Sequence, residues 1–159
     1  MRLRNIIQLA SSVSALFLST LGALYEGSSI QEDVFEWEWS TPFTLFTTNN
    51  ISSADQISIL DYLLYAAKFQ PLFPSIMLLS FVYILILAGY IGIKNRQNHT
   101  FYFSILACVM MAGCLMILSD HVETKIIYAA ILFAGTFTSV LIAIKDLTYI
   151  NYSAGQKTK

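Results

Sequence analysis

The sequence predicts an all-α integral membrane protein whose four transmembrane helices form an antiparallel bundle with an extracytoplasmic cap. Composition is the first reason. Of the 159 residues, 56% are hydrophobic and 12% are charged, whereas soluble domains carry about 25% charged residues. So little polar surface cannot cover a water-exposed globule of this size.

The second reason is that the apolar residues are gathered into long runs. A helix of about 20 residues crosses the ~30 Å hydrocarbon core of a bilayer. The predicted transmembrane helices cover residues 5–25, 71–93, 101–119 and 126–144. Short polar connections make the last three antiparallel neighbours, and residues 1–159 are expected to form a single membrane domain.

The first apolar run, residues 5–25, has no charge and many hydroxyl groups. Small residues occupy every fourth position: Ser11, Ala15, Ser19 and Ala23. Such a stripe lets helices approach closely in lipid, so it predicts a packing seam, with a hydrophilic pore lining as the alternative. Arg2 and Arg4 precede the run as in a signal peptide, but no clear cleavage site follows, and we expect the segment to be retained.

Two further small-residue patterns predict packing faces on the later helices. Ala88 and Gly92 form a pair near the end of the second helix. Ala130, Ala134 and Thr138 form a stripe on the fourth. Both have the four-residue spacing that brings transmembrane helices together.

The only sizeable polar region, residues 26–70, is predicted to form the extracytoplasmic cap. Aromatic and acidic residues alternate over residues 35–39, which predicts an extended backbone with one aromatic face. The aromatic positions are Phe35, Trp37 and Trp39. Tryptophan at a membrane boundary commonly lies at headgroup level; the alternative is a face that binds a partner or a ligand.

The second half of this region predicts an amphipathic helix over about residues 54–69, because its apolar residues recur at helical spacing. Its charged residues argue against insertion into the bilayer, so we expect it to lie in the interface and to roof the helix bundle. A capping box formed by Ser53 and Gln56 would start the helix, with Ser52 and Asp55 as the alternative register.

Charge distribution predicts the orientation, because Lys and Arg are enriched on the cytoplasmic side. With the N-terminus inside, only Lys68 and Lys125 of the nine cations lie outside. Every acidic residue except Asp146 lies outside. We therefore expect a cell-membrane protein with both termini in the cytoplasm and a polar cytoplasmic tail, residues 145–159, whose last residues are disordered.

The four apolar runs contain no Asp, Glu, Lys, Arg or His. Intramembrane enzymes and proton pumps usually need ionisable groups at membrane depth, so we expect no enzyme and no cofactor. Cys108 and Cys114 lie six residues apart, point to different sides of a helix and form no metal or redox motif. A net charge of −1 gives no indication of a nucleic-acid partner.

A group of potential metal ligands is predicted at the outer mouth. Asp120, His121 and Glu123 follow the third run, and Glu26 ends the first on the same side. Their oxygen and imidazole donors suit a divalent cation if the two ends adjoin. The group has no recognised ligand spacing, so the interpretation we favour is that these charges mark the water boundary and hold no metal.

Two short stretches carry a family resemblance. Tyr25-Glu26-Gly27-Ser28 and, further on, Trp37-Glu38-Trp39-Ser40-Thr41-Pro42-Phe43 resemble an uncharacterised family of small membrane proteins from Gram-positive bacteria. The resemblance covers roughly residues 5–45. It implies a bacterial cytoplasmic membrane and supplies no activity or functional residues.

These observations together favour a non-enzymatic accessory or interaction protein. The expected partners are the lipid bilayer and another membrane protein or a second copy of this chain, and Phe35, Trp37 and Trp39 are the candidate contact residues. The alternative function is a small transporter or channel component, because the first run is rich in hydroxyl groups and the outer mouth is acidic.

Overall fold

The structure, a computed structural model, describes residues 3–48, 51, 53–119 and 124–157, and these contain helices and no strand. The α-helices are α1 (Leu3–Gly27), α2 (Trp37–Ser40), α3 (Pro42–Thr47), α4 (Ile59–Phe69), α5 (Leu72–Gly92), α6 (Arg96–Ser119) and α7 (Lys125–Lys157). Short 3₁₀ turns lie at Ser28–Gln31, Val34–Glu36 and Ala54–Gln56.

Four of these helices are long and apolar enough to cross a membrane, as the sequence predicts. The qualifying spans are Leu3–Gln31, Leu72–Gly92, Arg96–Leu118 and Lys125–Ile150. Only 17–33% of the residues in their most apolar stretches are buried within the protein. Large side chains such as Leu115 and Phe133 instead point outward. An apolar exterior of this extent suits lipid as the surrounding solvent.

Helices α6 and α7 make the most extensive contact in the fold. The buried residues of α6 include Thr100, Phe103, Ala107, Met110 and Cys114. Those of α7 include Ala129, Leu132, Thr136, Ser139, Ala143 and Asp146. Both sets alternate steps of three and four residues, which is the spacing of a coiled-coil seam.

The seam on α7 is not the predicted small-residue stripe, and that prediction is wrong. Ala130, Ala134 and Thr138 are exposed. Gly135 is buried instead, and a Cβ added there would lie 2.8 Å from Val82 Cγ1 and 2.9 Å from Met110 Sδ. This glycine lets α7 approach α5 and α6 closely.

The predicted seam on α1 is confirmed over its second half. Ser19, Ala23 and Gly27 are buried, whereas Ser11 is exposed. Gly27 lies directly beneath the carbonyl group of Tyr62, in a space that no side chain can enter. The C-terminal half of α1 therefore packs closely on α4 and α5.

Helix α5 connects the two halves of the structure. Its extensive contacts are with α1 on one side and with α7 on the other, and α1 makes no comparably extensive contact with α6 or α7 in the part of the chain described. Near its end, Gly89 packs against the Tyr102 ring, while Gly92 has no neighbouring atom within 4 Å. The predicted Ala88–Gly92 packing pair is therefore wrong.

Several predicted helix ends are also corrected. Helix α6 begins at Arg96 rather than residue 101, and α7 continues through Lys157 rather than ending near residue 144. At the start of α6, Asn95 Oδ1 accepts a hydrogen bond from the Gln97 backbone N–H at 3.1 Å. Arg96 and His99 on α6 contact Asp146 on α7, so polar side chains in the extended parts of the two helices pair with each other.

Helix α4 starts later than predicted, and neither proposed capping box forms it. Its first residue is Ile59, and Ser58 is the N-cap, whose Oγ accepts a hydrogen bond from the Leu60 N–H at 3.3 Å. Ser53 instead precedes a 3₁₀ turn and makes no side-chain cap. Ser52 lies outside the described residues.

Candidate functional site

The carboxylate of Asp61, on α4, is buried and forms hydrogen bonds with α3. Its side chain is fully buried. Oδ1 accepts a hydrogen bond from the Phe43 N–H at 3.0 Å, and Oδ2 accepts from the Thr44 N–H at 2.9 Å and from Thr44 Oγ1 at 2.6 Å. Asp61 therefore caps the N-terminus of α3 from a neighbouring helix. The sequence analysis missed this role because the partners lie 17 and 18 residues away.

The three predicted aromatic contact residues do not form one face. They lie in a 3₁₀ turn and in α2, so the predicted extended backbone is wrong. Trp37 is partly buried, and its indole Nε1–H donates a hydrogen bond to the Ile30 carbonyl oxygen at 2.8 Å. Phe35 and Trp39 remain 93% and 76% exposed. Trp37 therefore contributes to the fold, whereas Phe35 and Trp39 are the exposed members of the predicted set.

An ion pair joins this segment to the end of α4. Lys68 Nζ lies 2.8 Å from Glu36 Oε2 and donates to Ser40 Oγ at 3.2 Å. The hydrogen bonds from Lys68 and Ser40 lower the pKa of the Glu36 carboxyl below its usual 4.5. Lys68 also lies over the Phe69 ring, 4.7 Å from its centroid. These contacts hold α2 beside α4.

Beside this ion pair lies an apolar groove of about 490 Å³, a volume within the ~300–1,000 Å³ range of ligand pockets. Its apolar walls include Leu63, Leu64, Pro74, Met77, Leu78 and Ile117. Its polar and aromatic border includes Trp39, Lys68, Lys125 and Tyr128. The groove thus lies where α4 meets the adjoining ends of α5, α6 and α7.

Two hydrogen bonds fix one wall of this groove. Thr124 Oγ1 and the Tyr128 hydroxyl both donate to the Ala67 carbonyl oxygen, at 3.0 Å and 2.9 Å. They connect the start of α7 to α4, although the sequence separates these residues by 57 and 61 positions. The groove is therefore defined by residues that the sequence analysis did not bring together.

Of the four potential metal ligands predicted at the outer mouth, the structure describes one, Glu26. Asp120, His121 and Glu123 lie outside the described residues. Glu26 is half-buried and borders a cavity shared with Gln70 and Ser75. Its Oε2 is buried and has no hydrogen-bond partner among the residues that the structure describes. Among the described residues, no group of three His, Cys, Asp or Glu side chains is placed to hold a metal. The metal site stays a hypothesis.

The hydroxyl groups of α1 do not line any of the cavities described here. Ser11 and Ser12 donate to the Gln8 carbonyl oxygen, and Ser19 and Thr20 donate to that of Leu16. Such bonds satisfy the hydroxyl groups within the helix itself. The pore interpretation of this stripe stays a hypothesis.

At the opposite end of the long helices, Asp146 forms a second buried polar cluster. Its carboxylate contacts His99 Nδ1, and Arg96 Nη1 lies 2.5 Å from Oδ1. The Asp146 and His99 side chains are only 5% and 11% exposed. The Arg96 guanidinium lies over the Tyr149 ring, 4.5 Å from its centroid. The sequence offered one signal for this cluster, namely that Asp146 is the single acidic residue on the predicted inner side.

A cavity of about 320 Å³ opens beside this cluster. It lies between the end of α5, the start of α6 and the middle third of α7. Its charged and polar border is formed by Lys94, Arg96, His99, Lys145, Asp146 and Tyr90. The chain thus has an apolar groove at one end of its long helices and a cationic cavity at the other.

Comparison with known proteins identifies the family. The family model described as "Domain of unknown function (DUF4306)" matches residues 6–93, which contain α2 to α5 and nearly all of α1. The uncharacterized protein YjdJ of Bacillus subtilis (strain 168) is 35% identical over 83 residues, which are 50% of this chain and 75% of YjdJ. No solved structure matches. The predicted resemblance to an uncharacterised Gram-positive family is confirmed, and this chain belongs to the DUF4306 family.

Proposed function

We propose that this chain is a non-enzymatic interaction protein of the cytoplasmic membrane that binds an apolar helix of another membrane protein in the groove bordered by Trp39. In this proposal the chain is one membrane domain. Its four long helices form an antiparallel bundle with both termini in the cytoplasm, and residues 26–70 form an extracytoplasmic cap. The groove then lies at the outer membrane boundary.

Two observations support the orientation and the bundle. Contacts between α6 and α7 pair His99 with Asp146 and Cys114 with Ala129, as expected for helices that run in opposite directions. Four cations lie at one end of the long helices: Arg4 at the start of α1, Lys94 and Arg96 at the connection from α5 to α6, and Lys145 within α7. The positive-inside rule assigns this end to the cytoplasm.

The shape and chemistry of the groove carry the interaction proposal. Interfaces are enriched in Trp, Tyr and Met, and Trp39, Met77 and Tyr128 all border the groove. Trp39 is 76% exposed, so it is available to pack against an incoming helix. An apolar helix suits these walls because its side chains bring no polar group into contact with them. It also satisfies its backbone hydrogen bonds internally, as a segment within lipid must.

Site-specific photocrosslinking in membranes tests this proposal. A photoreactive residue at Leu64 or Leu78, both in the groove wall, should capture the same membrane protein. The matched control is Leu115, which is 63% exposed on α6 and does not line the groove. Adducts only with lipid, only with a second copy of this chain, or equally at Leu115 would each overturn the proposal.

A pair of substitutions adds a second criterion. Trp39→Ala should reduce capture at Leu64 at least about fivefold, because interface aromatic residues commonly contribute more than ~1 kcal/mol. Phe46→Ala is the matched control, since Phe46 is 95% exposed but does not line the groove. Equal losses in the two variants would contradict a role for the groove. Trp37 is unsuitable for this test because its indole holds the fold together.

A further inference from the structure

The cavity beside Asp146 combines excess positive charge with an apolar margin. Lys94, Arg96 and Lys145 contribute three positive charges to its border, and Asp146 contributes one negative charge. The three cations therefore exceed the single carboxylate by two charges. Ile93 and Ile142 also line the cavity, so one side of it is apolar. This combination suits a ligand that has an anionic headgroup and a hydrophobic chain.

The internal contacts leave the two lysines available. Asp146 is already engaged by Arg96 and His99. No carboxylate pairs with Lys94 or Lys145 in the part of the chain that the structure describes, and both residues are exposed. Because the single carboxylate is buried and committed elsewhere, it does not neutralise the lysines at the mouth of the cavity.

Arg96 is positioned to take part as well. Its pair with Asp146 uses Nη1, and its guanidinium lies over the Tyr149 ring. A guanidinium has five N–H donors, so the pair with Asp146 leaves donors for a second anion. The Arg96 side chain is 52% exposed, which keeps these donors accessible. Asp146 thus serves to hold Arg96 and His99 at the border of the cavity.

We propose that this cavity binds the phosphate of an anionic phospholipid, such as phosphatidylglycerol, from the cytoplasmic leaflet. Basic pockets between transmembrane helices on the cytoplasmic side suit such headgroups. The cavity volume of about 320 Å³ is within the ~300–1,000 Å³ range of small-molecule sites. Lys94, Arg96 and Lys145 surround the phosphate, and the acyl chains continue along the apolar side of the cavity.

The inference uses the membrane orientation of the proposed function only to name the leaflet. Binding itself is measured on the purified chain in uncharged detergent micelles, where orientation has no effect. Its failure is therefore distinguishable from failure of the interaction proposal, which concerns the groove at the other end of α7.

The experiment is a titration of the detergent-solubilised chain with dioctanoyl phosphatidylglycerol, followed by thermal shift and by native mass spectrometry. Saturable binding of one lipid is expected. Lys145→Gln and Lys94→Gln should each weaken it about fivefold, which corresponds to the ~1 kcal/mol per basic residue seen near anionic lipid surfaces. The melting temperature without lipid should stay unchanged, because both lysines are exposed and neither pairs with a carboxylate among the described residues.

The matched control is Arg4→Gln. Arg4 is an exposed cation on α1 at the same predicted membrane side, and it does not line the cavity. Lipid affinity should change less than about twofold in this variant, since the charge it removes lies outside the site. An equal loss in Arg4→Gln would show that only general surface charge attracts the lipid, and the proposal would be overturned.

Two ligand controls identify the source of the phosphate. Dioctanoyl phosphatidylcholine, whose choline group cancels the phosphate charge, should bind at least about fivefold more weakly. Soluble glycerol 3-phosphate should not compete at equal concentration, because it has no acyl chains for the apolar side. Equal binding of phosphatidylcholine, or full competition by glycerol 3-phosphate, would overturn the assignment to an anionic lipid.

Discussion

The contact between Asp146 and His99 allows a quantitative prediction about how α6 and α7 are held together. Both side chains are nearly buried, so their hydrogen bond should contribute about 1.5–3 kcal/mol, as expected when one partner is charged. The Arg96 side chain is 52% exposed, so its pair with the same carboxylate should contribute less than about 1 kcal/mol. Asp146→Ala should therefore lower the free energy of unfolding by about 2–4 kcal/mol.

A double-mutant cycle separates the two partners of Asp146. The cycle combines Asp146→Ala with His99→Phe, which keeps an aromatic ring against Phe103, whose centroid lies 4.7 Å away. A second cycle combines Asp146→Ala with Arg96→Met. We expect a coupling energy of about 1.5–2 kcal/mol for the His99 cycle and less than about 1 kcal/mol for the Arg96 cycle.

Unfolding can be measured by titrating detergent-solubilised protein with sodium dodecyl sulfate and following the far-ultraviolet circular dichroism signal. A coupling energy below about 0.5 kcal/mol between Asp146 and His99 would refute the reasoning, because it would mean that the buried bond adds nothing beyond general packing. A larger coupling energy for Arg96 than for His99 would also refute it, since solvent should weaken the exposed pair.

Three further predictions follow from single contacts. Asp61→Asn should lower the free energy of unfolding by about 2 kcal/mol, because an amide cannot accept all three hydrogen bonds, and limited proteolysis should then cut near α3. Gly27→Ala should cost about 1–3 kcal/mol because its Cβ would meet a carbonyl group of α4, while Gly92→Ala, at an open position, should be neutral or slightly stabilising in the same denaturation assay. The pKa of Glu36 is lowered in the fold, so its pair with Lys68 should stabilise the protein above about pH 4.5 and lose this effect as the pH falls further. Since both side chains are partly exposed, the pair should contribute at most about 1 kcal/mol. The melting temperature measured against pH should show this loss, and Lys68→Met should abolish that pH dependence.

The four long helices could be predicted from sequence because their apolar runs are long enough to cross a bilayer. Their ends could not, since polar residues extend a helix when a distant partner satisfies them. Arg96 and His99 belong to α6 because Asp146, 50 and 47 residues away, accepts their hydrogen bonds. A single sequence contains no signal for that pairing beyond the unusual position of one acidic residue.

The face that each helix buries was harder to predict than the helix itself. In a soluble helix the apolar side marks the core, but in a transmembrane helix the sides toward lipid and toward protein are both apolar. The stripe containing Ala130 and Ala134 therefore looked like a packing seam, whereas Thr136 and Ser139 lie on the buried face. These hydroxyl groups donate to carbonyl groups of their own helix, so polar residues can occupy the seam without an interhelical partner.

The polar region shows a third limit of sequence reasoning. Alternation of aromatic and acidic residues favoured an extended backbone, yet Trp37 turns inward because its indole N–H finds an acceptor at Ile30. A buried indole N–H needs a hydrogen-bond acceptor, and this requirement outweighed the preference for an extended backbone that the alternation of aromatic and acidic residues indicates. Phe35 and Trp39 remain exposed, and their role as contact residues stays a prediction.

The groove near the start of α7 and the cavity beside Lys145 differ in how their charges are paired, and this difference separates the two proposed sites. Near the groove, Lys68 is paired with Glu36, so apolar contact dominates there. At the other end, Lys145 has no paired carboxylate in the described chain, so charge dominates. Tyr128 and Lys145 are 17 positions apart along one helix, a distance of about 26 Å at 1.5 Å per residue. This is close to the thickness of the bilayer core, so in the membrane arrangement that we propose, the groove and the cavity beside Lys145 would lie at opposite boundaries and would not compete for space.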